Sequence, residues 1–218
     1  MTDHNISAGL RADARRNREQ IVAAAHLVFT EQGMETPMEE IARRAGVGVG
    51  TLYRRFPDRE ALIRAVFAEN IHHLMSLARA ELGQQEDAWD ALRRFLRRCV
   101  ELRLGGLFSV LGRRVVEVLR TDPELMEARQ AMLSLLDGMI RKAQDDGAVR
   151  PDVGVGDVIF MLGMVIRHGP PIASATADEA RIRLLELMLD GLSATDRPPL
   201  SGSAFTIERM GLDRQAPP

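Results

Sequence analysis

Tyr53, Arg54 and Arg55 are three consecutive hydrogen-bond donors, and Gly50 and Thr51 come just before them. A phenol or a guanidinium can donate to a phosphate oxygen, and the arginine fork also matches the edge of guanine. A glycine alongside lets a phosphate or a base edge approach the backbone. Catalytic chemistry is poorly served elsewhere. The spacing assembles no Ser/His/Asp set, no glycine-rich phosphate loop and no pair of carboxylates on one inner face. His72 and His73 are adjacent rather than four apart, a poor metal pair on a helix. No catalytic residue, metal or cofactor is expected, and an enzyme is the least favoured reading.

Two short helices must position these donors. Met38 to Ala45 reads as the first, with Ile41 and Ala45 turned inward and Ala42 small enough for close approach. Gly46 stands where a helix ends in the left-handed conformation, and Val47 is expected to be buried in the turn. Gly48 occupies the N-cap of the second helix, where glycine is tolerated. Val49, Leu52 and Phe56 form its inner face, which leaves Gly50, Thr51, Arg54 and Arg55 outward and Tyr53 near the boundary. Upstream, Thr36 reads as an N-cap, with Pro37 at N1 and Glu39 at N3 completing a capping box. This is the pattern of a helix-turn-helix, which makes double-stranded DNA the expected partner. An ordinary helical hairpin with a solvated basic face has the same spacing.

Charge patterning agrees with a local rather than a global nucleic-acid surface. The 218-residue chain carries a net charge of −2. Residues 43–59 nevertheless hold five arginines against the single acid Asp58, and residues 11–18 hold four against Asp13. Hydrophobic content of 45% is that of an ordinary globular protein, while 4% aromatics and a wealth of Ala, Leu, Met, Glu and Arg point to an all-α fold. The lone Cys99 excludes an intrachain disulfide and fits a reducing cytoplasm. No signal peptide is visible, and the longest apolar run, Val158 to Ile166, is too short to span a bilayer, so no membrane partner is expected.

About nine helices are predicted. Residues 1–13 read as a disordered arm, 14–57 as a three-helix DNA-binding domain, 58–194 as a second helical domain, and 195–218 as a disordered tail. The predicted helices cover Ala14–Gln32, Met38–Ala45, Val49–Phe56, 58–82, 86–104, 107–119, 123–146, 155–168 and 178–192, punctuated by Gly33, Pro57, Gly147 and Gly169-Pro170-Pro171. The last two are apolar over more than the roughly 100° stripe that one buried face requires. A second copy would cover the excess. Val158, Ile159, Leu162, Ile166, Leu184, Leu185 and Met188 are the expected homodimer interface. Central core helices of a monomer would show the same pattern.

Residues 18–62 resemble the N-terminal domain of the TetR family of bacterial transcription regulators. The matching positions are Ile21, Ala24, Ala25, Phe29, Gly33, Thr36, Ile41, Ala42, Ala45, Gly46, Val47, Gly50, Leu52, Tyr53, Phe56 and Leu62. The resemblance implies a homodimer on a pseudo-palindromic operator and a C-terminal ligand-binding and dimerisation domain whose small effector releases the DNA. It implies that Thr36 opens the second helix and touches phosphate, that Gly50, Thr51, Tyr53 and Arg55 contact DNA, and that Arg59 grips phosphate where a lysine is usual. Two positions depart from the family pattern: Gly48 replaces the usual hydroxyl, and Arg55 stands where histidine is common.

The effector site is sketched only by Met75, Phe95, Cys99, Met132, Leu136 and Met139, supplied by the helices over 58–82, 86–104 and 123–146. Any single one of them reads more readily as core. Few charges fall on these faces, which suggests a largely apolar effector of unknown identity. Arg97 and Arg98 beside Cys99 would lower its thiol pKa if they faced it. A ligand-gated repressor is the leading reading. A constitutive or architectural DNA-binding protein without a ligand is the alternative.

Overall fold

The computed structural model describes residues 3–83, 87–104, 118, 121–167, 174–194 and 198–210. Helix α1 spans Asp3–Gln32, α2 Met38–Ala45, α3 Val49–Arg55, α4 Arg59–Leu82, α5 Ala88–Glu101, α6 Pro123–Asp145, α7 Val155–Arg167 and α8 Ser174–Leu192. Eight helices and one isolated antiparallel bridge, Val149 to Ser193, make up the regular structure of the described residues. The fold is all-α. The helix predicted over 107–119 lies outside the described residues apart from the helical, buried Val118.

Two compact units divide the chain within α4, residues 1–69 and 70–218. In the first, α2 packs on α1 and α3 on α2. Ile21, Ala25, Val28 and Phe29 from α1, Ile41 and Ala42 from α2, Leu52 from α3, and Leu62, Ile63 and Phe67 from α4 are all excluded from water. Burying side chains of this size contributes roughly 1.5–3 kcal/mol each before conformational entropy is charged. That is how a seven-residue helix such as α3, too short to persist alone, is held in place.

Local signals set the boundaries. Gly33 takes φ 96° and its N–H donates to Phe29 O, which stops α1 where expected. Gly46, at φ 67°, ends α2, and the Val47 and Gly46 N–H groups return to the carbonyls of Ala42 and Arg43. Asp58 caps α4 by accepting from Ala61 N at 2.7 Å.

The N-terminal arm differs from expectation. Rather than starting near Ala14, α1 begins at Asp3, because Ala, Leu and Arg around residues 8–15 are good helix formers and no proline interrupts them. Thr36 also differs. Pro37, not Thr36, supplies the carbonyl that accepts from Glu40 and Ile41 N–H, so the cap falls one residue later and no side chain satisfies it. The Thr36 hydroxyl instead donates backwards to Gly33 O at 2.9 Å.

In the second unit α5 is the central helix, touching α6, α7 and α8. Asp87 caps it by accepting from Trp89 and Asp90 N–H. It ends at Leu104 N→Cys99 O and Arg103 N→Val100 O, which puts Arg103, not a glycine, in the left-handed region at φ 54°. Asp122 and Pro123 start α6 as the pattern predicted, with Leu125 N donating to Asp122 Oδ1 at 3.0 Å.

The expected disorder of the tail is overturned for residues 198–210. Asp157 accepts from Gly154 N and Phe205 N, Gly156 N donates to Phe205 O at 2.7 Å, and the Phe205 ring meets Phe160 edge-on at 5.8 Å. A Cβ on Gly154 would lie 2.5 Å from Phe205 O, so this docking requires glycine there. Further along, Asp152 takes two hydrogen bonds from Arg150, at 2.6 and 2.9 Å, and one from Leu200 N at 2.6 Å. These hold its carboxyl at about 2, well below the ordinary value. A Pro-, Ser- and Gly-rich composition does not reveal such partners, because they come from residues about 48 positions earlier.

Candidate nucleic-acid interface

On α3, Leu52 is wholly buried and Phe56, just past its end, is 4% exposed, so the opposite face is turned to solvent. Gly50, Tyr53, Arg54 and Arg55 are exposed there and Thr51 is half-buried. A Cβ on Gly50 would meet nothing within 4 Å, so the backbone is open to close approach. Tyr53 is 43% exposed. Arg54 Nη2 donates to Thr51 Oγ1 at 3.1 Å, which aligns the guanidinium along the helix. Gly48 is exposed in the extended conformation expected of an N-cap, and offers no side chain to the first turn. Val49 and Val47 depart from expectation. Val49 is 37% exposed and Val47 only half-buried, because a helix this short turns just Leu52 fully inward before Phe56 leaves it.

The basic face is narrower than the arginine count suggests. Arg43 donates to both carboxylate oxygens of Glu40, at 2.8 and 2.6 Å. That hydrogen bond pushes the Glu40 carboxyl down and the Arg43 guanidinium up. Arg44 reaches Glu31 at 3.3 Å. Arg18 lies over the Phe56 ring at 5.8 Å, a cation–π contact. Arg54 and Arg55 are left as the exposed cations of the α3 face.

Arg59 has a task that its expected grip on phosphate did not include. Its Nη1 donates to the carbonyls of Met34 at 2.8 Å and Thr36 at 2.7 Å. Those carbonyls belong to the turn between α1 and α2, so the first residue of α4 fastens that turn. Two charge-assisted hydrogen bonds in a half-buried setting are together worth a few kcal/mol. The 23- and 25-residue separations hide this role from any local reading.

The six residues expected to line an effector site fall on buried faces of the second unit, except that Met75 is half-buried. Phe95 and Cys99 face inward from α5, and Met132, Leu136 and Met139 from α6, which packs against it. A cleft of about 390 Å³ lies elsewhere, between α5 and α8, lined by Arg97, Arg103, Asp178, Ile182 and Glu186 among others. Cys99 sits as a packing residue: the thiol is fully buried and burial pushes its pKa up. Arg97 turns to Glu186 at 3.0 Å and Arg98 to Glu101 at 3.4 Å.

Sequence reasoning missed Arg129. It is only 4% exposed, on the same α6 stripe as Leu125 and Met132. Helical spacing alone places it there, four residues after Leu125 and three before Met132, so the signal was present.

Six of the seven expected interface residues are used up inside the unit. Val158, Ile159, Leu162, Ile166, Leu185 and Met188 are at most 9% exposed, and only Leu184 is open to solvent. Among the described residues of these helices the large apolar side chains left exposed are Phe160 and Met164 on α7 and Ile182, Leu184 and Leu187 on the adjoining α8. The residues expected at an interface are thus mostly core of the single chain, and the exposed apolar side chains of the same helices are the ones left for a partner. Hydrophobicity marks both faces of such a helix, and only packing tells which one is left over.

Residues 21–66 match the family model of the bacterial regulatory proteins of the TetR family. Residues 87–194 match that of the SbtR-like transcriptional regulator C-terminal domain. A TetR transcriptional regulator from Streptomyces coelicolor is 33% identical, with a TM-score of 0.54, over 82% of this chain and 99% of the other. This chain belongs to the TetR family. A second member, the TetR transcription regulatory protein from Mycobacterium vanbaalenii, is 32% identical with a TM-score of 0.50 over 84% and 99% of the two chains. An HTH-type transcriptional regulator of Staphylococcus aureus is 41% identical over 63 residues, 28% of this chain. The match spans about a third, 34%, of that curated relative's length. The TetR family is one of DNA-binding transcription regulators, and its helix-turn-helix here is α2 and α3. No helix among the described residues is long and apolar enough to cross a membrane, and no cluster of metal-ligating side chains is found among them.

Proposed function

We propose that this TetR-family member is a homodimeric repressor, acting in the cytoplasm, which leaves a palindromic operator when a small, largely apolar effector binds its C-terminal unit. The exposed α3 face carries the reading. Gly50, Thr51, Tyr53, Arg54 and Arg55 lie together over a buried Leu52, so the donors are available to a major groove while the helix stays anchored. Thr36 before α2, Gly48 before α3 and Arg59 at the start of α4 are the further residues assigned to the DNA contact in this reading. The uncovered Phe160, Met164, Leu184 and Leu187 support pairing with a second copy, which would present two α3 helices to successive grooves about 34 Å apart. Phe95, Met132, Leu136 and Met139 offer an apolar, adaptable surround for the effector. In this reading effector binding would tilt α4 and move its Arg59 end.

Anisotropy titration against DNA from upstream of its own gene and a scrambled control, at two salt concentrations, tests this. A specific regulator binds the first at ~10⁻⁸ M or tighter and discriminates strongly. Equal, weak binding to both that is lost with salt refutes it for that operator.

A further inference from the structure

The geometry points to Arg129 as the anchor for the carboxylate head of an amphiphilic organic acid, the apolar body of which lies along Met132, Leu136 and Phe95. This rests on, and sharpens, the reading of the second unit as an effector-binding domain. Arg129 is only 4% exposed, its Nε has no hydrogen-bond acceptor, and among the described residues no carboxylate pairs with it. Other arginines of this unit have an acid within reach, exposed as in Arg97 with Glu186 and Arg141 with Asp137 or largely buried as in Arg94 with Glu81. Burial depresses the Arg129 pKa to about 10, and no charge among the described residues offsets it. At neutral pH the group is still a cation, because its pKa lies some three units higher.

A cation taken out of water without a counter-ion is one of the costliest arrangements in a protein interior, and an apolar side chain of equal length would be more stable there. The stripe around it is otherwise apolar: Leu125, Met132, Leu133, Leu136 and Met139 on α6. A fixed guanidinium at one end of an apolar, methionine-rich face is the complement of a molecule with one anionic end. Its planar fork donates two parallel hydrogen bonds to a carboxylate. Desolvation strengthens that pairing and gives discrimination against the uncharged analogue.

The test uses the full-length protein and the variants Arg129→Met and Arg129→Lys. Octanoate, decanoate and benzoate are each compared with the matching alcohol by isothermal titration and by thermal shift. At least one carboxylate is expected to bind the wild type tenfold or more tightly than its alcohol. Arg129→Met should abolish that preference, and its ligand-free Tm should rise by several degrees. Arg129→Lys should keep the preference in part. Equal affinities for acid and alcohol in the wild type, no binding of any acid, or an Arg129→Met variant with a lowered Tm would each overturn the proposal. Operator titration of the same samples separates the two readings. Acid binding without operator binding refutes the regulator while leaving Arg129's role standing, and operator binding without acid preference does the reverse.

Discussion

Leu187→Arg is the substitution that most directly tests the proposed dimer. Leu187 is 67% exposed in the single chain, so its side chain contributes little to folding. Full burial of a leucine is worth roughly 1.5–3 kcal/mol, and covering the exposed two-thirds is therefore worth about 1–2 kcal/mol. A twofold interface loses this twice, about 2–4 kcal/mol in all, which weakens dimerisation by roughly 30- to 700-fold. Two arginines facing each other across an apolar surface add repulsion, so this is a lower bound. Sedimentation equilibrium over a concentration series measures the dimer Kd, and circular dichroism checks that the helices persist. A variant whose dimer Kd stays within threefold of the wild type would refute the assignment of this face. Leu185→Arg, which the apolar pattern suggests equally, is the wrong probe: Leu185 is 2% exposed and a charge there would disrupt the unit itself.

Tyr53→Ala should weaken operator binding while leaving Tm and dimer Kd unchanged, since Tyr53 is 43% exposed; equal anisotropy titrations would remove it from the interface. Gly156→Ala places a Cβ 2.7 Å from Phe205 and should release the tail at a cost of about 1–3 kcal/mol, visible as new proteolytic cleavage within residues 198–210. Acid should loosen the same segment. The Asp152 carboxyl is depressed to about 2 in the fold against 3.8 ordinarily, so its contribution is complete above pH ~4 and lost as pH falls toward 2. Amide exchange at Leu200 should accelerate over that window in the wild type and already be fast in Asp152→Asn. Cys99, fully buried with its thiol pKa raised, should react with an aromatic disulfide reagent only at the rate of unfolding.

Local chemistry made most of the architecture legible. Gly33, Gly46, Asp58, Asp122 and Pro123 act within four residues, and the helix ends they predict are where the structure has them. The outward face of α3 was legible too, because Leu52 and the positions around it obey helical spacing. What escaped were contacts between residues distant in sequence. Arg59 with Met34 and Thr36, Asp157 with Phe205, and Asp152 with Leu200 are side-chain-to-backbone bonds, which leave no periodic trace. The helices α7 and α8 failed differently. They are apolar on both sides, so the pattern identified the elements but could not divide Leu184 and Leu187 from Leu185 and Met188. Arg129 occupies a stripe position by spacing, but a charge there contradicts the apolar pattern that defines the stripe.

The grip of Arg59 on the carbonyls of Met34 and Thr36 has a mechanical consequence. It clamps the first turn of α4 to the bend that leads into α2, while Leu62 and Ile63 of the same helix are locked in the core below. Within the first unit, the start of α4 is thereby fastened to the turn before α2, against which α3 packs. On the proposed ligand-gated reading, an effector would change the separation of two such heads in a dimer and leave each reading surface intact. Such a switch would act by misalignment rather than by blunting. The released repressor would keep its weak, salt-sensitive hold on arbitrary DNA and could return to its operator by sliding once the effector is gone.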